Sequence, residues 1–343
     1  MNKNIIKWLA LGLTIFLSAC SKPEPKVISL QGNTMGTYYQ IKYVVDAQEQ
    51  DNEKLSMEIL QAEIDTRLEL VNDLMSTYRP NSELSRFNKA DKSLKVSAAM
   101  RKVVKEALVI YKQSNGAYDV TVGPLVNLWG FGPDKHPDKV PEQSIIDQKL
   151  AEVGSQYLSI EGDKLVKSRS DLYVDLSSIA KGYGVDFIAD YMQSLGLKNY
   201  LVDIGGELRV QGEKPNNQQW TLAIERPVDG ENVERIIHIG NNGIATSGDY
   251  RNYFESNGIR YSHTIDPKTG KPITHKLASV TVIYKDCMTA DGYATAISVL
   301  GPKAGLAFAK ENKLAVFLLV KEGDDFKEYY TPEFKPYLAG KKS

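Results

Sequence analysis

The sequence predicts an α+β fold. Segments with helical spacing interleave with segments rich in β-branched and aromatic residues, and they do so without strict strand–helix–strand alternation. That order argues against a doubly wound α/β sheet. No long low-complexity stretch or clear repeat interrupts the chain after Lys26, so one continuous unit over residues 27–340 is expected. Of 343 residues, 42% are apolar and 25% charged, which excludes disorder, collagen and a polytopic membrane protein. Lys+Arg is 42 and Asp+Glu is 43, for a net charge of −1. The chain lacks the basic excess of many nucleic-acid binders, and no nucleic-acid partner is expected.

The first nineteen residues read as an address. Lys3 and Lys7 precede an apolar run from Trp8 to Leu17, which Leu17-Ser18-Ala19-Cys20 closes. A basic start, a short apolar core and small residues before a cut describe a secretory signal. The core is short of the roughly 20 residues that a membrane-spanning helix needs. Cys20 after Leu-Ser-Ala resembles a bacterial lipobox, which implies cleavage before Cys20 and lipid on the new terminus. The chain is then expected in a bacterial cell envelope, lipid-anchored and facing the periplasm, with the choice of membrane open. Residues 20–26, with Pro23 and Pro25, read as anchor and tether.

The remaining elements follow from periodicity and turn signals. Gly36–Val45 reads as a strand, and Asn52–Leu74, with Met57, Leu60, Ile64, Leu68 and Val71, as a helix. Met75–Asn88 reads as loop, Ser97–Tyr111 as helix, and Gly116–Gly132 as an irregular functional loop. Pro141–Val153 and Ser178–Leu195 read as helices, and the segment LYVDL before the second reads as a strand. Tyr200–Ile204, Leu208–Gln211 and Trp220–Glu225 read as strands, and Gly243–His263 as Gly-rich strand segments. Ser279–Tyr284 and Ala315–Val320 are further strands, with helices at Thr289–Leu300 and Ala304–Asn312 between them. Cys287 is expected to be a buried thiol.

Chemistry enters at four places. No GxSxG, HExxH, CxxC or Walker A pattern occurs, so a serine-hydrolase elbow, a helical zinc protease and a P-loop NTPase lose their support. Gly32–Thr37 looks faintly like a phosphate loop but lacks the GK[ST] ending. Asp175–Gly184 runs from strand to helix, where backbone N–H groups favour a phosphate and Lys181 adds charge. A capped helix with Lys181 on a solvated face fits the same residues. Asp291 and Thr295 are i,i+4 at the opening of a helix and share a face, as hard oxygen ligands suited to Mg²⁺. An Asp favoured by the helix dipole and a solvent-facing Thr fit that spacing too. His263 precedes the turn signals of Asp266-Pro267 and Thr269-Gly270 and can donate or accept at neutral pH. His136, His238 and His275 have no comparable local company.

Taken in order, eight blocks resemble the ApbE family of FAD:protein FMN transferases. They are Thr34-Met35-Gly36-Thr37, then Ser76-Thr77-Tyr78 with Ser82–Asn88 (SELSRFN), and Gly116–Leu125 (GAYDVTVGPL). Next come Val174–Tyr183 (VDLSSIAKGY), Asp203–Glu207 (DIGGE) and Ala245–Asp249 (ATSGD). His263–Pro267 (HTIDP) and Ala290–Thr295 (ADGYAT) complete the series, which spans nearly all of residues 30–300. The resemblance implies largely antiparallel sheets with packed helices. It implies FAD and Mg²⁺, transfer of FMN to a Thr or Ser hydroxyl of a target protein, and release of AMP. Met35, Tyr78, Ala117, Tyr118, Asp119, Asp175, Lys181 and Ile265 would line the FAD site. Ser178 (through its carbonyl), Asp291 and Thr295 would hold the metal, and Asp291 or His263 would take the hydroxyl proton. Some relatives carry acids where this chain has Lys181 and Ala294, so phosphate and metal contacts would differ there. The expected acceptors are flavoprotein subunits of membrane redox complexes. The same site would serve a Mg²⁺-dependent FAD pyrophosphatase, and a flavin-binding lipoprotein without catalysis is the alternative from another class.

Overall fold

The structure is a computed structural model that describes residues 24–46, 52–133, 140–227, 233–248, 253–256 and 259–339. The proposed signal, Cys20 and Asp249 lie outside the described residues. In chain order the elements are β1 (Lys26–Thr34), β2 (Thr37–Val45), α1 (Met57–Met75), α2 (Glu83–Lys89), β3 (Ser93–Lys95) and α3 (Ala98–Gln113). Then follow α4 (Gly123–Leu128), α5 (Gln143–Leu150), β4 (Leu158–Glu161), β5 (Lys164–Lys167), α6 (Ala180–Ser194), β6 (Tyr200–Ile204) and β7 (Glu207–Gln211). The series continues with β8 (Leu222–Glu225), β9 (Val233–Ile237), β10 (Gly243–Gly248), β11 (Tyr253–Ser256), β12 (Ile259–Ser262), β13 (Ile265–Asp266) and β14 (Lys271–Pro272). It closes with β15 (Leu277–Tyr284), α7 (Cys287–Glu311), β16 (Ala315–Glu322) and β17 (Asp325–Tyr330).

Eight strands form one sheet in the order β1-β2-β6-β7-β10-β15-β16-β17, and its neighbours all pair antiparallel. The α+β expectation and the largely antiparallel sheet are both met. Strand alternation divides the side chains between two faces. Tyr39, Ile41 and Tyr43 of β2 pack under α1 and α6, while Val44 joins Leu201, Ile244 and Phe317 on the other face. That second face is covered by the β8–β9 hairpin and by Phe334 near the C-terminus. Helices α3 and α7 bury a third cluster against β15 and β16.

Several sequence expectations need correction. Gly32–Thr37 is not a phosphate loop: Met35 and Gly36 (φ +50° and +74°) make the tight turn joining β1 to β2, and no helix follows. Residues read as loop at Met75–Asn88 contain α2, whose N-cap Ser82 accepts from Ser85 N at 2.9 Å. The irregular stretch Gly116–Gly132 contains α4, started by Pro124 at its second position. LYVDL is extended but belongs to no strand. Its partners are a side chain and a loop: Val174 exchanges hydrogen bonds with the Asn88 amide (2.8 and 2.9 Å), and Asp175 N donates to Val120 O at 2.7 Å. The two C-terminal helical segments are met as expected: α7 runs through both and is broken between them at Gly301, before Pro302. Cys287 is fully buried, as expected.

Candidate active site

The segment 117–122, the start of α6, the first turns of α7 and the end of β10 surround a cavity of about 430 Å³. Among the residues the sequence singles out, Tyr78, Ala117, Tyr118, Asp119, Asp175, Ser178, Lys181, His263, Ile265, Asp291 and Thr295 all line it. They arrive from points far apart in the chain. Met35 does not line it; its Cε and Sδ lie 2.9 and 3.6 Å from where a Cβ on Gly184 would stand, over helix α6.

The wall from residues 117–122 is stiff because Asp119 is saturated. Its Oδ1 accepts from Thr121 N (2.8 Å), Thr121 Oγ1 (2.6 Å) and Ser155 Oγ (2.6 Å), and its Oδ2 from Ser155 N (3.1 Å). Beside it the Tyr118 hydroxyl is fully buried and accepts from Ser178 Oγ at 3.0 Å. Burial holds the Tyr118 hydroxyl protonated far above the ordinary tyrosine range. The Ser178 hydroxyl is thereby committed to Tyr118.

Asp291 stands on the second turn of α7, not at its opening. The helix starts four residues earlier, where Asp286 caps Thr289 N at 2.9 Å. Asp291 reaches across to α6 and accepts from Gly182 N at 3.0 Å. That removes one N–H from those the start of α6 would offer a phosphate. Lys181 is not on a solvated face either. Its Nζ donates to Glu207 Oε2 at 2.7 Å, and the Glu207 side chain is 4% exposed. Burial alone would lower the Lys181 ammonium, but Glu207 and Asp291 outweigh it and hold it above the ordinary lysine range. Burial, then the neighbouring Glu207, push the Asp291 carboxyl up to about 8.

The cavity's other wall is apolar, lined by Val122, Val126, Phe131, Ile265 and Pro267, with an aromatic cluster behind it. Ile265 packs in a cluster with Leu125, Trp129, Ile146 and Phe254, and Trp129 stacks on Tyr261 at 5.6 Å between centroids. Trp129 Nε1 donates to Gly270 O at 2.8 Å, which ties this cluster to the turn after β13. His263, just after β12, meets Phe131 edge-on at 6.3 Å. Tyr78 stands at the rim with 67% of its surface exposed.

Glu207, Thr246 and Ser247, to which the sequence assigns no role, also line the cavity. The block DIGGE carried the signal for Glu207. Its Gly205-Gly206 (φ +62° and +99°) is the two-residue turn between β6 and β7, so the next residue begins β7 at the cavity wall.

Comparison with known proteins gives one answer. The model of the ApbE family matches residues 35–318. The "FAD:protein FMN transferase" of Vibrio cholerae is 52% identical over 336 residues, covering 97% of this chain and 99% of that protein. The protein of the same name from Haemophilus influenzae is 45% identical over 344 residues, covering 98% of each. Among solved structures, the flavin transferase ApbE of Vibrio cholerae superposes with a TM-score of 0.84 at 50% identity, covering 92% of this chain and all of that one. The flavinyl transferase ApbE of Pseudomonas stutzeri, in its apo form, gives 0.84 at 41% identity, covering 94% of this chain and all of that one.

Proposed function

The chain belongs to the ApbE family, and from that premise we propose that it transfers FMN from FAD to a Thr or Ser hydroxyl of an acceptor flavoprotein and releases AMP. The observation that carries this reading is one cavity that joins an apolar wall containing Phe131 to a polar wall built by the start of α6 and the second and third turns of α7. The apolar wall suits the flavin or adenine, and the polar wall suits the pyrophosphate between them.

The donor set fits Mg²⁺. Asp291 and Thr295 share one face of α7, and Ser178 keeps its carbonyl once its hydroxyl is given to Tyr118. All three are hard oxygen donors. Among the described residues no group of three His, Cys, Asp or Glu forms a complete metal cage. A site with few protein ligands suits an ion that keeps waters and takes substrate phosphate oxygens. Ala294 is buried where some relatives carry an acid, so that donor is missing here. When bound, Mg²⁺ would neutralise the pyrophosphate and favour AMP as leaving group.

The chain's own residues do the rest. Lys181, oriented by Glu207, offers a fixed cation to phosphate oxygens. Asp175 is held by its bond to Ser177 N (2.8 Å) and, with Tyr118, walls the polar side. The acceptor hydroxyl attacks the FMN-side phosphorus, the P–O bond to AMP breaks, and the hydroxyl proton must leave. Asp291 accepts from Gly182 N, and Glu207 is committed to Lys181. His263 and Asp291 both line the cavity, and we propose that one of these two takes the proton.

The acceptors we propose are flavoprotein subunits of membrane redox complexes. We also propose that the chain is lipidated at Cys20, with residues 27–340 as the catalytic unit at the periplasmic face of the envelope.

The test is to incubate residues 21–343 with FAD, Mg²⁺ and an acceptor fragment, and to follow intact mass and AMP. The expected outcome is an acceptor mass gain of one FMN less water, abolished by chelation and in Asp291→Asn. AMP and free FMN with no mass gain on any acceptor would replace the reading with a hydrolase. Bound FAD that is never split would replace it with a binding protein.

A further inference from the structure

Helices α6 and α7 begin against each other with no room for a side chain between them. A Cβ on Gly182 would stand 2.5 Å from Cys287 O, and one on Gly243 would stand 2.5 Å from Cys287 N. Across this contact the helices exchange carboxylates. Asp291 of α7 accepts from Gly182 N of α6. In return Asp186 of α6 accepts from Cys287 N at 3.0 Å through Oδ1 and from Met288 N at 2.8 Å through Oδ2. Those are the first two N–H groups of α7, which have no acceptor within their own helix. Gly182 and Asp186 are one turn apart on α6, as Cys287 and Asp291 are on α7, so each pair shares a face. Two opposed contacts one turn apart fix the slide of one helix along the other.

Asp186 does not touch the substrate cavity. It lines a separate cleft of about 480 Å³, with Arg209, Met288 and Tyr293. Its side chain is 4% exposed, and Arg209 Nη1 from β7 lies 3.0 Å from its Oδ1 and 3.2 Å from Asp190. Burial raises the Asp186 carboxyl above its ordinary range, and the two helical N–H groups, then Arg209, offset part of that cost.

We propose that Asp186, held by Arg209, is a positioning residue that sets Asp291 and Thr295 on α7 against Ser178 at the start of α6. It rests on the reading of these three as metal donors. Because Ser178 lies in the turn leading into α6 while Asp291 and Thr295 lie on α7, a change in slide between the two helices changes the donors' spacing, and metal affinity depends on that spacing. Asp186→Asn keeps one acceptor oxygen but turns an NH₂ toward the second helical N–H and weakens the tie to Arg209.

The experiment titrates Mn²⁺ into the protein holding FAD, with free Mn²⁺ read by electron paramagnetic resonance. Flavin binding without metal and the thermal midpoint of the metal-free protein are measured alongside. Asp186→Asn and Arg209→Met are expected to weaken Mn²⁺ binding roughly tenfold, the scale of changes behind a metal's own ligands. Flavin binding should change less than twofold, and Arg209→Lys, which keeps the cation, should restore most of the Mn²⁺ affinity. Asp291→Asn is the control for the underlying reading. Wild-type affinity in Asp291→Asn would remove the metal site and the proposal with it. A loss in Asp291→Asn with wild-type affinity in Asp186→Asn and Arg209→Met would overturn the proposal alone, even if both variants melt earlier. Should Asp186→Asn not fold, Arg209→Met against Arg209→Lys decides by the same readout.

Discussion

Asp291 concentrates the chemistry of the site in one residue. An acid buried beside Glu207 keeps a proton that the unfolded chain gives up. Its folded value of about 8 stands above the ordinary 3.8, so folding binds a proton in that window. The stabilisation is complete below about pH 4 and is lost as pH rises through about 8. Burial shifts Glu207, Asp186, Asp203 and Asp175 in the same direction. The metal-free protein should therefore melt at progressively lower temperature from pH 5 to pH 8.5, at most about 1.4 kcal/mol per pH unit for each proton involved. Asp291→Asn should flatten part of that decline, and Mg²⁺ added at pH 8 should raise the midpoint of wild type but not of the variant. A wild-type midpoint that is flat or rising over this range, followed by differential scanning calorimetry, would refute the burial argument. At this scale the sequence was informative where a motif carried the residue, as with Asp291, Thr295 and Lys181. It was uninformative about partnerships: nothing in DIGGE says that Glu207 will meet Lys181, because that contact is made by β7 folding onto α6.

Elements were legible where one face is apolar and one polar. The alternation of Tyr39, Ile41 and Tyr43 announces β2, and Met100, Val103, Val104 and Ala107 announce α3. Illegible elements are those whose partners are not strands or whose residues are polar. Strand β17 (DFKEYY) sits at the sheet edge with no apolar face to mark it, and Leu172–Leu176 looks like a strand but pairs with the Asn88 amide. Helix α7 shows how a break is repaired. Pro302 has no N–H to give Ser298 O, four residues earlier, and Gly301 (φ +75°) leaves the helical region. His275 Nε2 lies 2.8 Å from Ser298 O and supplies the missing donor. His275, which has no company in sequence, thus acquires a structural role from the fold. His275→Ala leaves that carbonyl without this donor and should cost about 1–3 kcal/mol in urea unfolding, with the slope unchanged. Equal stability of the variant would mean that another group already serves Ser298 O.

At the scale of the whole molecule, one antiparallel sheet organises both faces, and its edge strand β1 begins at Lys26. The tether proposed before it is short. Six residues from Cys20 to Pro25, fully extended, span at most about 20 Å. A lipid on Cys20 would hold the catalytic unit within that distance of the bilayer. Confinement of this kind raises the effective concentration for acceptors in the same membrane and does nothing for soluble ones. Cys20→Ala in the full chain, expressed in a bacterium, should therefore move the protein from the membrane fraction to the soluble fraction. Its rate on a soluble acceptor fragment should equal that of wild type, because no residue of the cavity has changed. Its rate on an acceptor embedded in the membrane should fall. Fractionation with intact-mass analysis reads the first effect, since the wild type should lose residues 1–19 and gain acyl mass. Flavin fluorescence of the acceptor band reads the second. A wild-type chain that stays soluble or keeps its first nineteen residues would refute the anchor. Equal rates on the membrane-embedded acceptor would separate the anchor from catalysis and leave it a role in location alone.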